Sequence, residues 1–280
     1  MAGMTIDLHT HSNVSDGTDT PAELVRNARS AGLNTVALTD HDTFDGLDEA
    51  VAEGERIGIQ VIRGMELSCG TDRESVHLLM YGGNEHDPAL QSEMAKVREG
   101  RSNRLRPVLA KLAELGYPLT EESVLAQVGD SPSVGRPHIA DALIAAGYVK
   151  DRTEAFDRFL ADGGPAHVER YTIDLPHGID LVNGAGGVPI IAHPWGRGRE
   201  HVLPPDYLEQ LVRDHDLAGF EVDHQDHDPQ TRVELRALAG RLGVLATGSS
   251  DYHGTGKTDH DLGVNTTAPE VLAEIIRRIG

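Results

Sequence analysis

Cysteine is nearly absent: Cys69 is the only one in the chain. A single thiol excludes an internal disulfide and a thiolate metal cluster, so any metal site must be built from His, Asp and Glu. Cys69 itself continues an apolar run and reads as inert core. Long hydrophobic runs are also missing. No window approaches the ~18 consecutive apolar residues of a spanning helix, although 39% hydrophobic residues suffice for a core. The opening MAGMTIDLHTH has no basic stretch followed by a long apolar one, so no signal peptide is expected and the expected location is cytoplasmic. Positive charge is scarce, with 45 acids against 25 bases and a formal net charge of -20. Such a surface repels long nucleic acid, which needs a basic track. A small anion is still acceptable if its site carries its own cations. Nothing marks a membrane or a protein partner.

What is present is an alternation of apolar and amphipathic segments. MTIDLHTH, NTVALTDHD, GIQVIRGMELSCG, ESVHLLMYGG, GVPIIAHP, LAGFEVDH and RLGVLATGSSDYH read as strands. PAELVRNARSAG, FDGLDEAVAEGERIG and segments near 205–215, 229–241 and 268–279 read as helices. Strand and helix in turn indicate a mostly parallel α/β fold. Residues 88–170 differ: they carry helical periodicity and no convincing strand. They read as an all-helical insertion. Gly-rich NGAGGVP precedes a strand, whereas phosphate loops follow one, so it reads as a helix stop.

Polar residues gather where the apolar runs end. His9 and His11 are two apart, so both imidazoles share one face of an extended segment. Asp16 follows in a turn, His41 ends the second run, and Glu66 and His77 sit in the third and fourth. His193 ends IIAHP, and Asp251 and His253 end GSSDYH. In an α/β barrel, strand C-termini converge on one mouth. One metal takes about four to six ligands, so these donors point to two or three divalent ions, with a carboxylate such as Glu66 bridging. A bridged pair generates hydroxide near neutral pH and clamps phosphoryl oxygens.

The set resembles the PHP (polymerase and histidinol phosphatase) family. DLHTHSNVSDG, ALTDHDT, IAHP and GSSDYH carry the resemblance, in order, with Glu66 and His77 between them. It spans residues 4–82 and 186–276. It implies a distorted (β/α)7 TIM-like barrel from 1–87 and 171–280, with residues 88–170 as a substrate cap. It also implies three ligand groups. His9, His11, Glu66 and Asp251 would hold one ion, Glu66, His77 and His193 a second, and Asp16, His41 and His253 a third. Asp16, His41 and His253, on the side of that third ion, are the catalytic candidates, and the acid is either a histidine there or a metal-bound water. Manganese is favoured, with iron, zinc or magnesium as alternatives, because such donors accept them all.

Within the family, the insertion and GRPHIADAL look like the branch of small phosphoesterases that act on nucleoside 3′,5′-bisphosphates, nucleoside monophosphates or short oligonucleotide 5′ ends. Arg136 and His138 match its substrate-contacting segment. The expected activity is therefore a metal-dependent phosphomonoesterase acting on a small nucleotide. Rival readings are a 5′→3′ exonuclease on short oligonucleotides, a histidinol phosphatase, and a non-catalytic metal- or nucleotide-binding module. The histidinol phosphatase branch does not usually carry the GRPHIA insertion, and a silent module need not keep the full ligand set.

Further candidates stand outside the motifs. Arg197 and Arg199 follow IIAHP and could bring a cation to the mouth, and His224 ends a strand and could face substrate. Asp40 is expected to orient a histidine. Trp195 is expected to pack its loop, and His227 to lie at the surface. His86, His167, His177, His201, His215 and His260 are expected to be surface or satisfied core residues.

Overall fold

Seven strands form one continuous, nearly closed sheet: β1 (Ile6–Asp7), β2 (Thr35–Leu38), β3 (Gln60–Gly70), β4 (Ser75–Tyr81), β6 (Val188–Ile191), β7 (Gly219–Asp223) and β8 (Leu245–Gly248), in that order, while β5 (Ile173–Asp174) pairs with the tail of β3. The structure, a computed structural model, describes residues 4–72, 74–129, 131–132 and 134–279. A single bridge between Thr10 and Tyr252 brings the two ends of the sheet together. There the His11 N–H donates to the Tyr252 carbonyl (2.8 Å) and the Asp251 N–H to the His9 carbonyl (3.0 Å). The barrel is thus TIM-like in shape.

The helices are α1 (Pro21–Ser30), α2 (Leu47–Ile57), α3 (Pro88–Glu114), α4 (Glu121–Leu125), α5 (Arg136–Ala145), α6 (Arg152–Ala155), α7 (Leu175–Gly184), α8 (Pro205–His215), α9 (Pro229–Leu242) and α10 (Pro269–Ile279). Local chemistry sets their starts. Thr20 and Glu23 form a capping box around Pro21 at the head of α1. Asp87 caps α3 by accepting from the Ala89 and Leu90 N–H groups. Every side chain of β2 is buried, as expected of a parallel strand covered on both faces. No helix among the described residues is long and apolar enough to cross a membrane.

The sequence reading differs from the structure in four places. The first strand ends at Asp7 and not at His11; beyond it the chain stays extended through the Thr10 bridge. β5 is two residues long, too short to leave a periodic signal, and α7 stands where the sequence shows only a Gly-rich helix stop. Most consequential, β4 runs antiparallel to both β3 and β6. His77 therefore reaches the mouth from near the start of its strand, opposite Ser68, because reversing one strand brings its N-terminal end to the face where its neighbours end.

The barrel core joins β3, β4, β6 and β7 to α7, α8 and α9 through residues such as Leu67, Leu78, Ile179 and Phe220. The helices between β4 and β5 pack on a cluster of their own, which includes Leu112, Val124, Leu143 and Leu160.

Candidate metal centre

Glu66 lies at the middle of the mouth, 1% exposed. Its Oε2 is 3.2 Å from Nε2 of both His9 and His11 and 3.1 Å from His41 Nδ1. Its Oε1 is 3.0 Å from His77 Nδ1 and 3.4 Å from His193 Nε2. Asp251 Oδ1 lies 3.6 and 3.5 Å from the same His9 and His11 nitrogens. On the other side, Asp16 reaches His253 Nε2 at 3.3 Å and His41 Nε2 at 3.6 Å. The structure thus brings His9, His11, Asp16, His41, Glu66, His77, His193, Asp251 and His253 to one place.

The contacts are those of donors aimed at shared centres. His9 and His11 bring Nε2 to within 2.9 Å of Nε2, and His41 Nδ1 and Glu66 Oε1 are buried with no hydrogen bond among the described residues. Buried groups normally find partners, and divalent ions suit this donor set. Four groupings of donor atoms among the described residues could each hold an ion: His9–His11–Asp251, His41–Glu66–His77, His11–Asp16–His41–His253 and, beside them, His224–Asp251–His260. Burial alone would raise the Glu66 carboxyl, yet the charges of His9, His77 and His41 hold it well below the usual carboxylate range. Asp16 is held down by His41 and His253 against the same burial. The backbone is also strained here, with φ of 31° at His193 and 55° at Asp251, conformations that a non-glycine residue keeps only when its surroundings enforce them.

Carboxylates behind the ligands fix their orientation. Glu221 lies 3.2 Å from His9 Nδ1 and accepts from the His193 N–H at 2.8 Å. A charge buried within GFEVD was the available signal for Glu221. Asp40 accepts from the Ser12 N–H (2.8 Å), the Ser12 hydroxyl (2.6 Å) and the Ser15 hydroxyl (2.5 Å), so it braces the Asp16 loop and binds no histidine directly.

A cavity of about 830 Å³ opens above the ligands. One wall holds Arg101, Arg104, Arg136 and Arg170. Arg101 donates to Asp42 (2.5 Å) and Ser68 (2.7 Å), while its Nε has no partner among the described residues. Arg136 donates to Asp162 and to the Leu160 carbonyl (3.0 Å). Arg104 forms no ion pair among the described residues. Burial, and then the charges of Arg136, Arg170 and Arg101, push it down to about 8. A guanidinium keeps its proton, so the depression reflects burial first and then repulsion from the neighbouring arginines. Among the described residues, only Asp42 and Asp162 pair with these four arginines. Arg101 and Arg104 carry a sequence signal, since they interrupt the buried stripe Leu90, Met94, Val97, Val108 of α3.

The other expected contacts divide between the cavity and its surroundings. His138 is 4% exposed, with Nδ1 accepting from the Gly135 N–H and Nε2 facing the Ser15 carbonyl, so it has no free ring nitrogen for substrate. His224 is fully buried. Its Nδ1 accepts from the Asp226 N–H (3.1 Å), so Nε2 carries the proton and donates to Asp251 Oδ2 (3.3 Å). It stands behind Asp251 and is not among the residues that line the cavity described above. His227 is buried and not at the surface, its Nδ1 at 2.9 Å from the Val222 carbonyl. His260 is buried, lines the cavity and has an unpartnered Nε2, so it is neither a surface nor a satisfied core residue. Arg197 and Arg199 both line the cavity; Arg197 pairs with Asp226 at 3.3 Å, and Arg199 is tied to Glu74 and the Ser75 carbonyl. Trp195 packs its loop by donating to the Leu203 carbonyl. Burial raises the Cys69 thiol far above its ordinary value, which leaves it inert. Lys257, beside Asp251, had no sequence signal at all.

The PHP-domain profile matches residues 7–113. The chain is 33% identical to the 3′,5′-nucleoside bisphosphate phosphatase of Chromobacterium violaceum over 98% of its own length and 96% of that protein. The chain belongs to the PHP family. It is also 35% identical to a 5′-3′ exoribonuclease of Haemophilus influenzae, over 88% of this chain and 89% of the relative. A solved structure from Bifidobacterium adolescentis, described as that of a metal-dependent phosphoesterase, superposes with a TM-score of 0.92 at 36% identity, covering 99% of this chain and 97% of the other. This PHP protein is a metal-dependent phosphoesterase with His, Asp and Glu clusters able to bind metal.

Proposed function

We propose that the protein removes one phosphate from a nucleoside 3′,5′-bisphosphate, with 3′,5′-bisphosphoadenosine as the first candidate. The observation that carries this reading is the second cationic region, Arg101, Arg104, Arg136 and Arg170, in the same cavity as the ligand cluster. A substrate with one phosphate needs one anion site; a bisphosphate uses two. On a chain of net charge -20, a local excess of arginine favours a small dianion and does nothing for a long polyanion.

The ligand set would hold two or three ions, manganese in the first instance: His9, His11, Glu66 and Asp251 one, Glu66, His77 and His193 another, Asp16, His41 and His253 the third. Bound there, divalent ions would acidify water and offset charge on the phosphoryl oxygens. The arginines would hold the other phosphate, Arg104 supplying the fork with no carboxylate partner. Arg136 and Arg197 share their charge with Asp162 and Asp226, which suits steering over tight binding. His253 has Nδ1 on the Asp251 carbonyl and Nε2 on Asp16, an arrangement that suits ion holding over proton delivery. Residues 88–170 would act as a cap, since they supply Arg101, Arg104, Arg136 and Arg170. The proposed setting is the cytoplasm, which a lone unpaired cysteine suits.

A second reading is 5′→3′ trimming of short oligonucleotides, supported by the likeness to the exoribonuclease and by a cavity large enough for more than one nucleotide. The test is phosphate release by manganese-loaded protein from 3′,5′-bisphosphoadenosine, AMP, histidinol phosphate and a 5′-phosphorylated trinucleotide. Preference for the bisphosphate supports the first reading. Accumulation of mononucleotides from the trinucleotide, at a higher rate, overturns it in favour of the second.

A further inference from the structure

Two side chains from the helical segment between β4 and β5 reach across to the loop that carries Asp16. His138, on α5, accepts the Gly135 N–H at Nδ1 (2.9 Å), which leaves its proton on Nε2. That N–H donates to the Ser15 carbonyl at 3.0 Å. Arg152, on α6, donates from Nη1 to the carbonyl of Asp16 itself at 2.9 Å. Its Nε and Nη2 each donate to Asp141 at 2.7 Å, a two-pronged pair that fixes the guanidinium plane.

The same guanidinium also packs on the loop that carries His253. A Cβ on Gly256 would lie 2.4 Å from Arg152 Nη1, so a side chain there would displace the guanidinium from this position. Thr18 joins the two loops: its hydroxyl accepts from the Thr255 N–H at 2.9 Å and lies 3.5 Å from the His253 carbonyl. Asp40 braces the Asp16 loop from the barrel side, and His138 and Arg152 close it from the other. The remaining ligands have a firmer base. Glu66 and His77 stand within paired strands, and His9 is held by Glu221.

We propose that His138 and Arg152 are positioning residues that set the occupancy of the Asp16–His41–His253 ion, so that the helical segment controls how many ions the centre keeps. This rests on the three-ion reading above. Supporting groups behind metal ligands are worth about 10- to 100-fold in metal affinity, and these two hold the backbone on either side of Asp16 Cα.

The experiment counts manganese per chain by elemental analysis of full-length protein, across a titration with a competing chelator, for the parent, His138→Ala and Arg152→Met. Both variants are expected to lose one ion at about 10- to 100-fold lower chelator strength than the parent, while the other ions leave at the parent's chelator strength. His138→Gln, which keeps an amide N–H toward Ser15, is expected to recover most of the difference. Asp141→Asn, which loosens Arg152 without removing it, gives a smaller loss in the same direction and serves if Arg152→Met fails to fold. Unchanged ion retention in the variants overturns the proposal, as does joint loss of all ions, which would mean a general loss of structure. A parent that never holds more than two ions overturns the three-ion reading itself, an outcome distinct from either.

Discussion

Replacing Arg104 with methionine should have opposite effects on substrate use and on stability. The side chain is 6% exposed and faces three other arginines. Methionine keeps most of the apolar stem and removes the charge. Hydrogen bonds to charged groups contribute about 1.5–3 kcal/mol each, so losing the fork on the second phosphate should lower kcat/KM for a bisphosphate roughly 10- to 150-fold. A nucleoside monophosphate, held through the ligand cluster alone, should lose less than about 3-fold, since none of that hydrogen bonding is at stake. Without ligand the sign reverses. A buried charge among like charges destabilises the fold, and an apolar replacement of similar volume is neutral or stabilising by about 1–4 kcal/mol. In a chain of this size each kcal/mol shifts Tm by about 2–4 °C. Steady-state kinetics on both substrates and a thermal melt without phosphate read the two effects. A variant with unchanged bisphosphate kinetics, or one whose ligand-free Tm falls, would refute the reasoning.

Three further outcomes follow from the geometry. Glu66→Gln removes the carboxylate that five imidazoles face at 3.0–3.4 Å; turnover should fall at least ~10³-fold, and near-normal rates in metal-replete variant would contradict its central place. In the metal-free protein, burial disfavours charge on His11, but hydrogen bonds to Asp251 and Glu66 outweigh it and raise its pKa to about 9. Below that pH its proton must leave before the ring can bind an ion, so metal affinity should climb as pH rises toward 9 and binding at neutral pH should release protons; heats of binding that do not depend on the buffer's ionisation heat would argue otherwise. Gly178→Ala would put a Cβ 2.6 Å from Cys69 Sγ, between α7 and β3; overpacking of about 1–3 kcal/mol should lower Tm by several degrees, and an unchanged melt would show that α7 can shift away.

The convergence of the His, Asp and Glu donors was legible because they sit in short motifs at the ends of apolar runs, where a barrel gathers them. Strand direction was not. ESVHLLMYGG reads equally well either way, and only pairing to β3 and β6 shows that His77 enters from the strand's first half. Groups that act through a neighbour were harder still. His138 and His224 were singled out for their residue type, yet each has its Nδ1 used by a nearby backbone N–H, a fact of three-dimensional placement. Arg101 and Arg104 were visible in principle, as charges inside the apolar stripe of α3; Arg170 and Lys257 lie in segments without periodicity, and their convergence depends on the fold.

The most direct measurement is kcat/KM for 3′,5′-bisphosphoadenosine beside that for 3′-AMP and 5′-AMP, with manganese-loaded and chelator-stripped protein in parallel. A cavity that engages both phosphates predicts at least about a 10-fold preference for the bisphosphate, the worth of one charged hydrogen bond, and loss of all three activities on stripping. Equal use of the three substrates, or undiminished turnover without metal, would contradict it.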